Sequence, residues 1–344
     1  MKDTSLATRY RPQTLDDVVE QQVVVKTLKR QLESGKIKQA QLFCGCYGSG
    51  KTSIARIFAK EVNGSMIECN ERDSATYNSV EDVRSMLDDL MFAPIGAKYK
   101  IYILDECHLL SNSAWSALLK LLEEPPETAM IILCTTDPQK VLPAVMSRVY
   151  RFDFKPITYK GVLDRLKYVM DSELNGENIS GVSRYDMEAL EYIAKTCKGS
   201  MRSALTALDK CIAYDPEVTE QNVLAVLDVL DFGTMFDLLD IIQNKEESKL
   251  SGMLGFVQSK SIDLKIMIRD LMSVVLDVTK YQLQGGMYNI DFVPMSYEHR
   301  MQRFSDKEFL KKLLKVLMQL STDLKWDNNP KVLIEATLLT EFFN

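Results

Sequence analysis

Only two of the 344 residues are histidine, which excludes a histidine-rich metal site. No apolar run reaches the roughly 18 residues that a membrane-spanning helix requires, and no apolar segment follows Met1-Lys2-Asp3-Thr4-Ser5 as it would in a secretion signal. These absences predict a soluble, cytoplasmic protein with no membrane partner. Nor is there an excess of basic charge. Lys and Arg number 42 against 48 Asp and Glu, a net charge of −6, so any contact with nucleic acid must come from a local patch. The seven cysteines are odd in number and mostly lie within apolar runs such as Ile131-Ile132-Leu133-Cys134, the setting of free, buried thiols in a reducing compartment. Internal repeats and low-complexity tracts are lacking too.

What is present is a strong periodic pattern. At about 150 residues per domain, the length accommodates two or three domains. Strand-length apolar runs recur at 41–44, 65–68, 100–104 and 130–135, and residues 149–154 alternate as an edge strand does. Helical patterns lie near 51–62, 79–91, 111–123 and 139–147. Alternation of this kind predicts a parallel five-stranded sheet covered by helices on both faces. After Pro156 the strand signal stops. Residues 157–228 carry three or four short helical patterns, punctuated by Asn175-Gly176, Gly181 and Gly199. Longer amphipathic stretches follow at 234–243, 261–283 and 306–321. The segment 284–304, with Gly285-Gly286, Asn289 and Pro294, reads as an irregular connection. The expected division is an α/β domain over 1–156, a small helical domain over 157–225 and an all-α domain over 226–344.

Gly45-Cys46-Tyr47-Gly48-Ser49-Gly50-Lys51-Thr52 matches the phosphate-loop pattern, directly after the first strand and before a helix. Glycines let backbone N–H groups turn inward around phosphate oxygens, and the helix N-terminus adds its positive end. Lys51 would reach the outer phosphates, while the Thr52 hydroxyl would ligate magnesium. Leu104-Asp105-Glu106 closes the third strand about fifty residues later. There Asp105 would hold the metal and Glu106 would polarise an attacking water. Together these predict an ATP- or GTP-hydrolysing site. Asp105-Glu106-Cys107-His108 also spells a helicase box, but the second sheet domain of a two-lobed helicase finds no strands after residue 156. For His108 a helix-entry position packed against the sheet is the favoured reading.

The chain resembles the AAA+ ATPase subunits of DNA polymerase clamp loaders, most closely the bacterial DNA polymerase III gamma/tau type. Tyr10-Arg11-Pro12 with Leu15-Asp16-Asp17-Val18-Val19, the loop with Ser53-Ile54-Ala55-Arg56, and Leu104 through Ser111 carry the likeness. So do Glu123-Glu124-Pro125-Pro126-Glu127, Thr135-Thr136-Asp137-Pro138-Gln139-Lys140, Ser147-Arg148 and Gly199-Ser200-Met201-Arg202. The resemblance implies an AAA+ domain, a helical lid and a helical collar, with ATP and Mg2+ as ligands. It implies that Gly45, Gly48, Ser49, Gly50, Lys51, Thr52 and Ser53 cradle phosphates, and that Tyr10, Arg11 and Val19 pack around the adenine. Thr136 would sense the γ-phosphate or the attacking water, and Arg202 would contact ATP from the lid. Arg148 would be an arginine finger serving the neighbouring subunit's site. Lys120, Lys140 and Arg84 would contact DNA phosphates, and Leu87, Leu90, Met91 and Phe92 would face the clamp.

Two departures stand out. The four-cysteine zinc module common in bacterial relatives is replaced by Val62-Asn63-Gly64-Ser65 with Cys69 nearby, so no zinc is expected. Val149 replaces the cysteine that usually follows the finger. The partners implied are a sliding clamp, the other subunits of a pentamer and primer–template DNA, in a bacterial or phage-infected cell. A non-hydrolysing scaffold subunit and an AAA+ motor on branched DNA are the alternatives.

Overall fold

A computed structural model of the chain describes residues 5–176, 180–260, 262–288, 290, 292–327 and 329–343. It divides into two compact units, the first Met1–Asn175 with Thr196–Asp209, the second Gly176–Lys195 with Lys210–Asn344. Within the first 175 residues the elements run α1 (Leu6–Arg9), α2 (Gln22–Ser34), β1 (Ala40–Gly45), α3 (Lys51–Asn63), β2 (Cys69–Asp73), α4 (Val80–Leu90), β3 (Lys100–Asp105), α5 (Asn112–Glu123), β4 (Ala129–Thr135), α6 (Pro143–Met146), β5 (Tyr150–Phe154) and α7 (Tyr159–Asn175). The chain continues through β6 (Arg184–Tyr185), α8 (Met187–Thr196), α9 (Met201–Tyr214), β7 (Glu217–Val218), α10 (Glu220–Leu227), α11 (Phe232–Gln243), α12 (Glu247–Ser259), α13 (Leu264–Gln284), α14 (Glu298–Met301), α15 (Lys307–Asp323) and α16 (Pro330–Phe342).

The first unit is a five-stranded parallel sheet in the order β2-β3-β4-β1-β5. The three central strands are apolar because both faces are covered. Alternate residues serve opposite sides, as the strand period of two requires. Leu42, Tyr102, Leu104, Ile131 and Leu133 pack with Val83 and Met86 of α4 and Trp115 and Leu118 of α5. Phe43, Ile101, Ile103, Met130 and Ile132 pack with Val24 and Leu28 of α2 and Ile54 and Phe58 of α3. Register then aligns the strand ends, pairing Cys44 with Thr135 and Leu104 with Leu133. The ends of β1, β3 and β4 thus open onto one edge of the sheet, where ligands of open parallel sheets bind.

Four of the five anticipated strands lie where the pattern placed them. The second does not. Residues 65–68 form a turn in which Met66 and Ile67 are exposed, and β2 begins at Cys69. Glu68, in the left-handed region at φ +57°, ends the turn. The strand itself is the polar run Cys-Asn-Glu-Arg-Asp, which lies at the sheet's edge and hydrogen-bonds to β3 alone. A short apolar run carries no information on register, so the ladder rather than hydropathy selects the strand. The strand signal also fails to stop entirely at Pro156. Arg184–Tyr185 and Glu217–Val218 form a two-residue parallel pair in the second unit.

The second unit is otherwise helical. Helices α12 and α16 escaped the pattern reading; Gly252 and Gly255 blunt the stripe of the first. The irregular connection after α13 is pinned by Asp277, which is 1% exposed and accepts backbone N–H bonds from Phe292 (2.6 Å) and Val293 (3.0 Å). A buried carboxylate with two amide donors is a satisfied group, and it holds the loop to the helix. Asn289, and Met1 to Thr4 at the N-terminus, lie outside the described residues.

Phe43 is fully buried between Phe152 and Phe154, with ring centroids 5.3 and 5.2 Å away. Phe43→Ala is expected to destabilise the first unit by about 3–5 kcal/mol, read as a lower urea midpoint by circular dichroism.

Candidate nucleotide-binding site

The phosphate loop leaves β1 at Gly45 and enters α3 at Lys51. Gly48 and Gly50 take φ of +73° and +100°, values a side chain would strain. A Cβ at Gly48 would also stand 2.1 Å from the Ser200 hydroxyl, so this position has two reasons to be glycine. Lys51 is 5% exposed, and its ammonium donates to the carbonyls of Gly45 (2.9 Å) and Cys46 (3.0 Å).

Beside the loop, the Thr52 hydroxyl donates to Asp105 Oδ2 at 2.8 Å. Burial pushes the Asp105 carboxyl above its ordinary range, partly offset by that hydrogen bond and by one from the Glu106 N–H. Glu106 is in the left-handed region at φ +47°, a strained backbone for a non-glycine residue. Its Oε2 accepts from Thr136 N (3.2 Å) and Thr136 Oγ1 (2.7 Å) and lies 3.3 Å from His108 Nδ1. The same His108 nitrogen is 3.1 Å from Thr135 Oγ1. His108 is therefore tied to the acidic cluster as well as packed against the sheet.

A cavity at this edge is bordered by Tyr10, Arg11, Val19, Gly48, Ser49, Gly50, Lys51, Thr52, Ser53, Asp105, Glu106 and Arg202, which the sequence had singled out. Gly45 and Thr136 act one step back, through Lys51 and Glu106. Tyr10 borders the cavity while its hydroxyl donates to Glu173 (2.7 Å), and burial raises that phenol to about 12. Burial and the nearby Arg56 guanidinium lower Arg11, without discharging it.

Arg148 lies elsewhere. It pairs with Glu123 at 2.8 Å and donates to the Ala144 carbonyl at 2.6 Å. Lys120 and Arg84 are exposed on α5 and α4, and Lys140 pairs with Asp137 at 3.2 Å. The apolar set on α4 and the loop after it splits. Leu90 is core and Leu87 packs against it, whereas Met91 and Phe92 are 72% and 70% exposed.

Sequence reasoning missed Arg165, which borders the cavity and donates to the Tyr10 carbonyl at 2.9 Å. It also missed Tyr47, whose ring lies 5.6 Å from the Arg202 guanidinium carbon. No motif marks either residue. All seven cysteines are free; burial raises Cys44 to about 11 and also pushes Cys107 and Cys134 well above the ordinary thiol value.

Thr52 and Asp105 offer two hard oxygens side by side, which fits Mg2+, an ion that takes one or two protein ligands and completes its shell elsewhere. Among the described residues, no group of three or more His, Cys, Asp or Glu side chains gathers as a metal cage. No helix among them is long and apolar enough to cross a membrane.

A phosphate loop after β1, an acidic pair at the end of β3 and a helical arginine at the same cavity, with a threonine after β4 bonded to Glu106, define a P-loop domain of the AAA+ class. Comparison with known proteins narrows this. The family model described as DNA polymerase III, delta subunit, matches residues 66–158. DNA polymerase III subunit tau of Bacillus subtilis is 31% identical over 96% of this chain and 62% of its own length. The tau subunit of Escherichia coli is 32% identical over 86% of this chain and 48% of its own length. Subunit gamma of Buchnera aphidicola subsp. Baizongia pistaciae is 31% identical over 80% of this chain and 78% of its own. The chain belongs to the gamma/tau subunit family of DNA polymerase III. It spans about half to three-fifths of the length of these tau relatives. Among solved structures, the Thermotoga maritima RuvB Holliday junction branch migration motor shares the fold. Its TM-score is 0.51 at 21% identity, over 72% of this chain and 85% of that one.

Because Asp105 has a raised pKa, the folded state holds its proton more firmly than the unfolded state does. The ionised carboxylate therefore costs stability above that pKa, and the cost disappears as pH falls through it. Asp105→Asn is expected to raise the thermal midpoint at neutral pH while lowering Mg2+-dependent nucleotide affinity roughly tenfold or more. Calorimetric melting and nucleotide titration check the two halves.

Proposed function

We propose that this chain is an ATP-driven subunit of a sliding-clamp loader. It would act with companion subunits as a pentamer that opens a ring-shaped clamp on primer–template DNA, in the cytoplasm of a bacterial or phage-infected cell. The observation that carries this reading is the convergence of Lys51, Thr52, Asp105, Glu106 and Arg202 on one cavity, in a chain of the gamma/tau family. A scaffold without turnover has no need of all five.

In the proposed reaction a water oxygen attacks the γ-phosphorus, its proton passes to Glu106, and the bond to the β,γ-bridging oxygen breaks to release ADP and phosphate. Lys51 and the loop amides hold the phosphates. Thr136 orients Glu106, with which it already shares two hydrogen bonds. Thr52 and Asp105 would hold Mg2+, which would neutralise phosphate charge. Tyr10, Arg11 and Val19 seat the base. Arg148 does not border its own chain's cavity, which suits a finger serving the neighbouring subunit.

ATP then acts as a bond between subunits. Binding favours the assembled spiral, and hydrolysis withdraws the γ-phosphate contacts that favoured it, a population shift by differential contact. Residues 157–225 serve as the lid and 226–344 as the collar. Lys120, Lys140 and Arg84 hold DNA phosphates without reading sequence. Exposed Met91 and Phe92, with Ile95 at 82% exposure, offer an apolar surface to the clamp.

The test is ATP turnover by the chain assembled with its companion subunits, with and without clamp and primed DNA. Stimulation should require both, and Lys51→Ala or Arg148→Ala should lower turnover on the order of a hundredfold or more. Turnover indifferent to the clamp, or strand separation on a forked duplex, would overturn this reading in favour of a branched-DNA motor. Lys120→Ala and Lys140→Ala should each weaken DNA binding across all sequences and reduce the log–log salt slope by about one, measured by anisotropy across a salt series.

A further inference from the structure

Tyr47 occupies a variable position of the phosphate loop, where the motif asks for no particular side chain. Tyr47 borders the cavity, and the Arg202 guanidinium carbon lies 5.6 Å from its ring centroid, within cation–π reach. This proximity is built by the backbone. The Met201 N–H donates to the Gly48 carbonyl at 3.2 Å, and the Ser200 hydroxyl fills the space where a Gly48 Cβ would stand. Ser200 is itself held, accepting from the Ser203 N–H at 3.2 Å and lying 2.7 Å from the Ser203 hydroxyl. Gly199, whose carbonyl accepts from the Ile157 N–H at 3.1 Å, anchors the start of the segment. The tip of the loop and the first turn of α9 thus meet at adjacent residues, 47 with 202 and 48 with 200 and 201.

Among the described residues, no carboxylate pairs with Arg202. The difference matters chemically. A carboxylate would neutralise the guanidinium and occupy its N–H donors, leaving less for an incoming anion. An aromatic ring attracts the cation yet offers no acceptor oxygen, so charge and donors remain available. It also restrains a long, rotamer-rich side chain before the ligand arrives, which removes part of the ordering cost of binding.

We propose that Tyr47 is a positioning residue that holds Arg202 ready for the phosphate oxygens of a nucleoside triphosphate. The inference rests on reading the cavity as a nucleotide site. It makes the phosphate loop part of the device that aims the helical arginine, a role the loop motif does not encode.

The experiment is calorimetric titration of the full chain with the non-hydrolysable ATP analogue adenylyl imidodiphosphate in the presence of Mg2+. Tyr47→Ala and the bulk-preserving Tyr47→Leu should weaken binding about two- to fivefold, and Tyr47→Phe, which keeps the π face, should restore it. In an Arg202→Ala background, Tyr47→Leu should cause no further loss, because the two residues act as one pair. An equal loss in both backgrounds, or a Tyr47→Phe protein as weak as Tyr47→Leu, overturns the proposal. Lys51→Ala separates the two levels of failure. If it abolishes binding while Tyr47 variants bind as well as the parent, only the positioning role falls. If Lys51→Ala leaves binding unchanged, the nucleotide site and the positioning role fall together.

Discussion

The register of three parallel strands is the constraint on which the site depends. Cys44 lies opposite Thr135, and Leu104 opposite Leu133, so the chain leaves β1, β3 and β4 at one level. That level puts the Thr52 hydroxyl on Asp105 and the Glu106 carboxylate on Thr136. A slip of one residue in any pair would turn every side chain of that strand to the other face. The apolar alternation that feeds α4 and α5 on one side, and α2 and α3 on the other, therefore guards the site as well as the core.

Around that edge the chain accepts local costs that a structural domain would avoid. Burial of Asp105 raises the cost of its ionised form, and Glu106 stands in a backbone region usually left to glycine. Lys51 is buried, and among the described residues its ammonium donates to carbonyl oxygens. Each is tolerable because a rigid, fully covered sheet holds its ends in place. All three border one cavity, where Lys51 brings a positive charge and donors and the two carboxylates bring acceptor oxygens.

The second unit solves a different problem. Its helices bury apolar stripes, and its long connection after α13 is fixed by one carboxylate. Asp277 takes two amide donors from residues 15 and 16 positions along the chain. Arg300 does similar work nearby, bridging Asp237 at 2.7 Å and Asp240 at 3.0 Å from above the Phe236 ring. These charged residues organise loops and helix ends.

The amino-acid sequence by itself determined the sheet, the phosphate loop and the acidic pair, because these rest on periodicity and spacing within a few residues. A buried strand must be apolar, and a phosphate loop must have glycine where side chains would block the backbone. The family likeness added residues such as Arg202 and Thr136 that no local rule selects. Where burial ceased to guide, at the polar edge strand 69–73 and the weakly striped helices α12 and α16, the pattern misled or fell silent. The tertiary structure alone decided that Thr136 holds Glu106 across 30 residues, that Arg165 reaches Tyr10 across 155, and that Tyr47 sits beside Arg202. Those contacts depend on which elements the sheet register and the turns bring together. That is a property of the packed chain, and no segment of it carries that information alone.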